Sequence, residues 1–162
     1  MKQSRQVSRR QFLQRTAAIA STAAGVQYLG MPFVRAADSP NSKLRVAVVG
    51  AGGMGGYSFD SSLKERLVAI CDVDEKTIAD RVKQFGEKCK DLPPPKTFYD
   101  YRKMLDQCHK EIDVVLIATP DHHHAPAAIR SIHYGKATFS QKPLAHDIAE
   151  CYALANAARK KK

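Results

Sequence analysis

The residues Gly50-Ala51-Gly52-Gly53-Met54-Gly55 carry the spacing Gly-x-Gly-x-x-Gly. Alone the pattern is weak. Here it follows an apolar run, Leu44 to Val49, and opens a segment of helical character to about Ser62, the context that gives it meaning. Gly50 allows a tight turn, Gly52 lets the backbone approach a pyrophosphate, and Gly55 lets helix and strand pack closely. Unpaired N–H groups at the helix start, near Gly53 and Met54, suit phosphate oxygens. Asp72 follows Gly52 by 20 residues and ends a second apolar run, where a carboxylate accepts hydrogen bonds from a ribose. Its charge repels a 2′-phosphate, so the pattern favours NAD, with NADP as the alternative. The plainer readings are a glycine-rich turn and an aspartate that caps a strand-to-helix turn.

Two more stretches place polar groups at strand ends. Ala118-Thr119-Pro120-Asp121-His122-His123-His124-Ala125 follows the run Ile112 to Ala118. In open α/β sheets the ligand lies outside the carboxyl ends of the strands. Three adjacent histidines invite a metal. On a loop, however, they point in different directions, and no His-Glu-x-x-His spacing accompanies them. No metal is expected; one histidine packing or hydrogen-bonding at the start of a helix is. Phe139-Ser140-Gln141-Lys142-Pro143-Leu144 ends the next strand. Lys142, fixed by the proline, is placed to face a nicotinamide and its substrate; the plainer reading is a surface lysine.

The elements that must position these residues alternate. Leu44 to Val49, Arg66 to Asp72, Thr97 to Tyr99, Ile112 to Ala118 and Ala137 to Ser140 read as strands. Asp74 to about Lys88 has helical spacing at Ile78, Val82 and Phe85, with Asp74 as a cap. Asp100 to His109, Pro126 to Tyr134 (stopped by Gly135) and Asp147 to Lys160 also read as helices, and the prolines within Asp91 to Lys96 make a loop. No Asn-Gly or Asp-Gly hairpin signal appears. The alternation predicts an α/β fold, a parallel sheet covered by helices.

Length and charge narrow the function classes. The chain has 162 residues, enough for one ordinary domain, and a net charge of +10. Six basic groups and no acidic one fall in residues 1–36, and four more close the chain at Arg159 to Lys162; the remainder is balanced, sixteen against sixteen. A nucleic-acid binder concentrates its cations on the folded domain, so this distribution argues against one. Cys71, Cys89, Cys108 and Cys151 match no metal-ligand spacing and read as packed free thiols, with disulfides as the alternative in an oxidising compartment.

The first 36 residues read as an address. A basic start is followed by an uncharged run from Thr16 to Val34, and Val34-Arg35-Ala36 offers a cut. Ser8-Arg9-Arg10-Gln11-Phe12-Leu13 resembles the twin-arginine export motif. The expected organisation is a signal peptide over 1–36, a linker over 37–42 and a dinucleotide-binding domain over 43–162, exported to the periplasm. An uncleaved membrane anchor is the alternative. The twin-arginine route carries folded proteins, so a cofactor can be bound before export.

In order, GAGGMGG, CDVD, TFYDYRKML, ATPDHHHAPAAIRSIHYGK and QKPLAHDIAE resemble the Gfo/Idh/MocA oxidoreductase family over about residues 43–157. The resemblance implies a Rossmann-type, doubly wound parallel sheet followed by an α/β substrate domain, NAD(P), and hydride transfer at a sugar or cyclitol carbon. Some members use the same cycle to cleave glycosidic bonds. It places Gly50, Gly52 and Gly55 on the pyrophosphate, Asp72 on the ribose, and Thr119 and Pro120 along the cofactor. His124 matches the family's histidine at the helix start, and Lys142 the lysine of its Glu-Lys-Pro motif. Two departures stand out. The motif's glutamate is Gln141 here, which hydrogen-bonds without charge. The substrate domain is absent from this chain, which implies a cofactor-binding half with little turnover alone. The other readings are a stand-alone nucleotide-binding module, alone, as an oligomer or with a separate substrate subunit, and an inactive gene fragment.

Overall fold

The structure, a computed structural model, describes residues 43–161. The export motif, the uncharged run, the cut site and the linker lie outside them. Strands and helices alternate as β1 Arg45–Val49, α1 Gly55–Ser62, β2 Arg66–Cys71, α2 Glu75–Lys88, β3 Lys96–Phe98 and α3 Tyr101–Cys108. After a 3-10 turn at His109–Glu111 come β4 Val114–Ile117, α4 Asp121–His133, β5 Ala137–Ser140 and α5 Ile148–Arg159. Every strand pair is parallel, and the order is β3-β2-β1-β4-β5. The chain winds outward from β1 to β3, then returns to the other side of β1. That reversal makes the sheet doubly wound and leaves a crevice between the ends of β1 and β4.

Both faces are covered, which is why β1 reads as an unbroken apolar run and not an alternating one. Val48, Leu67 and Ile70 pack under Phe59 of α1 and Phe85 of α2. Ala47, Val49, Ala69, Cys71, Val115 and Ile117 pack under α3 and α4, against Met104, Leu105, Ala127 and Ala128. One irregularity matters for register. Val46 pairs with Leu67 but Ala47 pairs with Ala69, so Val68 is an extra residue in β2. Val68 and Ala69 consequently both contribute to the α3–α4 side. Asp113, just before β4, grips the start of β1: Arg45 donates to it from its backbone N–H (2.9 Å), Nε (3.0 Å) and Nη2 (2.6 Å).

Three helices begin on an aspartate whose side chain accepts a backbone N–H: Asp74 from Lys76, Asp100 from Arg102 and Asp147 from Glu150. The fourth expected start is corrected. α4 begins at Asp121, not at Pro126. The first N–H groups of any helix lack an internal partner, and Pro126, sixth in the helix, removes only one bond near that frayed end. His122, His123 and His124 are therefore helical, and successive residues fan around the axis. His124 is turned inward and 1% exposed, while His122 and His123 face outward. Cys71 and Cys108 are buried, Cys89 and Cys151 half-buried, and all four thiols are free. No helix among the described residues is long and apolar enough to cross a membrane.

Candidate cofactor-binding site

The crevice begins with a turn. Gly50 donates its N–H to the Cys71 carbonyl (2.8 Å) with φ at +80°. A Cβ at 50 would come within 2.6 Å of the Ala118 carbonyl, so only glycine lets β1 turn beside the end of β4. A Cβ at 55 would overlap the Gly50 carbonyl, so Gly55 lets α1 rise close behind β1. Gly52 differs from both. A Cβ there would meet nothing nearer than 3.5 Å. The fold does not need a glycine at 52, but a ligand approaching the backbone does.

Asp72 closes the loop from the β2 side. One carboxylate oxygen accepts from the N–H groups of Ala51 (2.7 Å) and Gly52 (3.2 Å), the other from Asp74 (3.1 Å). A carboxylate has about four acceptor positions. Three are used, which leaves room for one ribose hydroxyl without releasing the loop. Beyond Gly52, the N–H groups of Gly53 and Met54 make no hydrogen bond among the described residues, and they precede the first turn of α1. They are the donors available to a phosphate.

A cleft of ≈ 520 Å³ opens in front. Gly50, Gly52, Asp72, Thr119 and Pro120 line it. Gly55 is buried behind it, and Gly53 and Met54 are exposed outside its lining. Tyr99, Tyr101, His122 and His123 form its far wall, with Val73. The Tyr101 and His123 rings meet edge to face, 6.4 Å between centroids. Cys71 also lines the cleft; burial, with Asp100 and Asp72 nearby, pushes its thiol up to about 12, so it is a neutral wall group. Burial likewise raises the Tyr101 phenol. The Thr119 hydroxyl is buried without a partner among the described residues. An orphaned hydroxyl in a cleft wall, a glycine kept free without internal reason and unpaired loop N–H groups together fit a dinucleotide.

The remaining expected residues form a second group. His124 Nδ1 lies 2.6 Å from the Pro143 carbonyl, so its Nδ1–H donates there, and Nε2 is buried without a partner among the described residues. The start of α4 is thereby tied to the segment carrying Gln141 and Lys142. Gln141 donates its N–H to Ile117 at the end of β4 (2.8 Å), and its side-chain oxygen accepts from the Lys142 N–H (3.1 Å). The Lys142 side chain is exposed, and neither Lys142, Gln141 nor His124 lines the cleft. Among the described residues no three of His, Cys, Asp and Glu converge on a point that would hold a metal.

Sequence reasoning missed Arg81. Its Nε donates to the Ala51 carbonyl (2.9 Å) from behind the loop. A signal existed, because Arg81 stands three residues after Ile78 on the face that buries Ile78 and Phe85. A charge on an apolar stripe needs a partner. Tyr99, Tyr101, His122 and His123 were also missed as lining residues. Only the strand order, which sets β3 beside β2, brings the tyrosines there.

Residues 44–162 match the family described as "Oxidoreductase family, NAD-binding Rossmann fold" (Gfo/Idh/MocA). The α-N-acetylgalactosaminidase of Shewanella oneidensis is 32% identical over 127 residues, which are 73% of this chain and 27% of that protein. GenD2 from gentamicin A biosynthesis, solved with NAD, is 29% identical with a TM-score of 0.62, covering 74% of this chain and 32% of that one. The WlbA dehydrogenase of Chromobacterium violaceum, solved with NADH and UDP-GlcNAcA, is 25% identical with a TM-score of 0.59, over 74% and 33%. Against the curated relatives first found, the chain spans 20% to 27% of their length. With its parallel sheet, glycine loop and carboxylate, the chain belongs to the Gfo/Idh/MocA oxidoreductase family, as its NAD-binding Rossmann domain.

Proposed function

We propose that this chain is the cofactor-binding part of an exported oxidoreductase that moves hydride between NAD and a hydroxyl-bearing carbon of a sugar or cyclitol. The observation that carries the reading is Gly52, a glycine that lines the cleft although a Cβ there would meet only ordinary contacts, with Asp72 on one side and unpaired N–H groups on the other. Bound NAD supplies the hydride acceptor. The chain's own residues bind and orient it. The Gly53 and Met54 N–H groups meet the pyrophosphate, Asp72 offers its remaining acceptor position to the adenosine ribose, and the Thr119 hydroxyl finds its missing partner along the ligand. Lys142, held on the segment that His124 fixes, is the group for the substrate hydroxyl and its proton. A primary ammonium on an exposed stem needs the rest of a substrate site around it, so the whole activity belongs to a longer assembly of residues.

Two relatives point to the substrate class. The Shewanella oneidensis protein is named for an N-acetylgalactosaminide, and the WlbA complex holds an N-acetylated sugar nucleotide. This supports an N-acetylhexosamine unit, oxidised at a ring hydroxyl, and a glycoside-cleaving variant of the same chemistry as the second reading. Arg9 and Arg10 support export of the folded, cofactor-loaded protein.

Cofactor preference is the accessible test. Calorimetric titration with NAD and NADP is expected to give at least about ten-fold tighter NAD binding. Asp72→Asn keeps an oxygen for the Ala51 and Gly52 N–H groups and removes the charge, so it should narrow that ratio. An unchanged ratio in Asp72→Asn would overturn the assignment of Asp72 to the ribose.

A further inference from the structure

Two side chains hold one peptide plane of the glycine loop from opposite edges. The Ala51 carbonyl and the Gly52 N–H belong to the same peptide unit, and a peptide unit is rigid. Asp72 accepts from the Gly52 N–H at 3.2 Å, and Arg81 donates to the Ala51 carbonyl at 2.9 Å. Among the described residues no backbone donor reaches that carbonyl. If Arg81 let go, the plane would keep only its Asp72 edge and be free to turn about it.

Arg81 is itself held in place. Its Nη1 donates to Gln84 Oε1 (2.8 Å), and Gln84 Nε2 reaches Asp60 of α1 (3.2 Å). The guanidinium carbon lies 5.1 Å from the centroid of the Phe59 ring. Helices α1 and α2 thus aim the guanidinium at the loop. Gly56 gives an independent sign of the same design. It lies outside the Gly-x-Gly-x-x-Gly spacing, inside α1, with no positive φ. Its backbone does not need glycine. A Cβ there, however, would stand 2.7 Å from Arg81 Nη2.

We propose that Arg81 is a positioning residue that orients the Ala51–Gly52 peptide for the dinucleotide, and that Gly56 is glycine to admit it. The effect on affinity rests on the NAD-binding reading; the effect on the loop does not. The rival role for Arg81 is a diffuse positive charge behind the phosphates, which lysine would supply equally well.

The test uses the full protein and five forms: unmodified, Arg81→Ala, Arg81→Lys, Gly56→Ala and the double variant Arg81→Ala with Gly56→Ala. Circular dichroism checks that each is folded. NAD titration is expected to show Kd raised about ten-fold in each single variant. The double variant should be no weaker than Arg81→Ala, because the added methyl then fills the vacated space. Arg81→Lys at unmodified affinity, or single effects that multiply in the double variant, would overturn the proposal. Amide exchange at Gly52 reads the loop directly, without NAD. Faster exchange in Arg81→Ala, Arg81→Lys and Gly56→Ala supports the proposal, and unchanged exchange in all of them overturns it. If the unmodified protein binds no NAD, the functional reading fails while the exchange result still decides the role of Arg81.

Discussion

Glycines 52 and 55 stand three positions apart and serve different ends. A Cβ at 55 collides with the Gly50 carbonyl, and one at 52 makes only ordinary contact, 3.5 Å from the Thr77 hydroxyl. Gly55→Ala should therefore lower stability by about 3 kcal/mol, as overpacking against backbone does. Gly52→Ala should leave the unfolding free energy in urea within about 0.5 kcal/mol of the unmodified protein. Equal stability losses in the two variants would contradict this division. The spacing of glycines and Asp72 was legible because backbone geometry and charge act within a few residues of the loop. Arg81 was not read, because its partner lies 30 residues away in sequence and the bond depends on how α2 lies on the sheet.

Helix α4 links the two groups of site residues. Its outward histidines join the cleft wall, and its inward one holds the segment carrying Lys142. Replacing His124 by alanine removes a buried hydrogen bond and leaves a cavity, so a loss of about 2–3 kcal/mol is expected in urea unfolding, with faster proteolysis near Lys142. Stability within about 0.5 kcal/mol of the unmodified protein would show that His124 does not hold that segment. The strands and most helix starts were legible from apolar runs and capping aspartates. The start of α4 was not, because Pro126 looks like a beginning when the residues before it are read as loop. At the other end of the sheet, the Arg45 guanidinium and N–H draw the Asp113 carboxyl from 3.8 down to about 2. A depressed carboxylate stabilises the fold at pH values above its unfolded pKa, and the contribution fades as pH falls from about 4 toward 2. Asp113 is partly exposed, so solvent screening keeps the effect modest. Asp113→Asn should flatten stability over that window; an identical acid profile would dismiss the clamp.

Over the whole molecule, the chain's excess positive charge lies at its two ends and leaves the part between them balanced. This agrees with a small-molecule site and not with a nucleic-acid surface. If Arg9 and Arg10 direct export, the double substitution R9K with R10K should leave the protein in the cytoplasmic fraction, and periplasmic recovery at the unmodified level would refute that role. The parallel sheet was legible at this scale because alternation of strands and helices constrains topology strongly. The aromatic wall was not, since β3 reaches β2 only through strand order.

The central claim is that Gly52, where it lines the cleft, is glycine so that NAD can approach the backbone. The most direct measurement is calorimetric titration of NAD into the unmodified protein and into Gly52→Val, both shown to be folded. Saturable binding by the first, weakened at least about ten-fold in the second, is the predicted result. Equal affinity in both, or no binding by the unmodified protein, would contradict it.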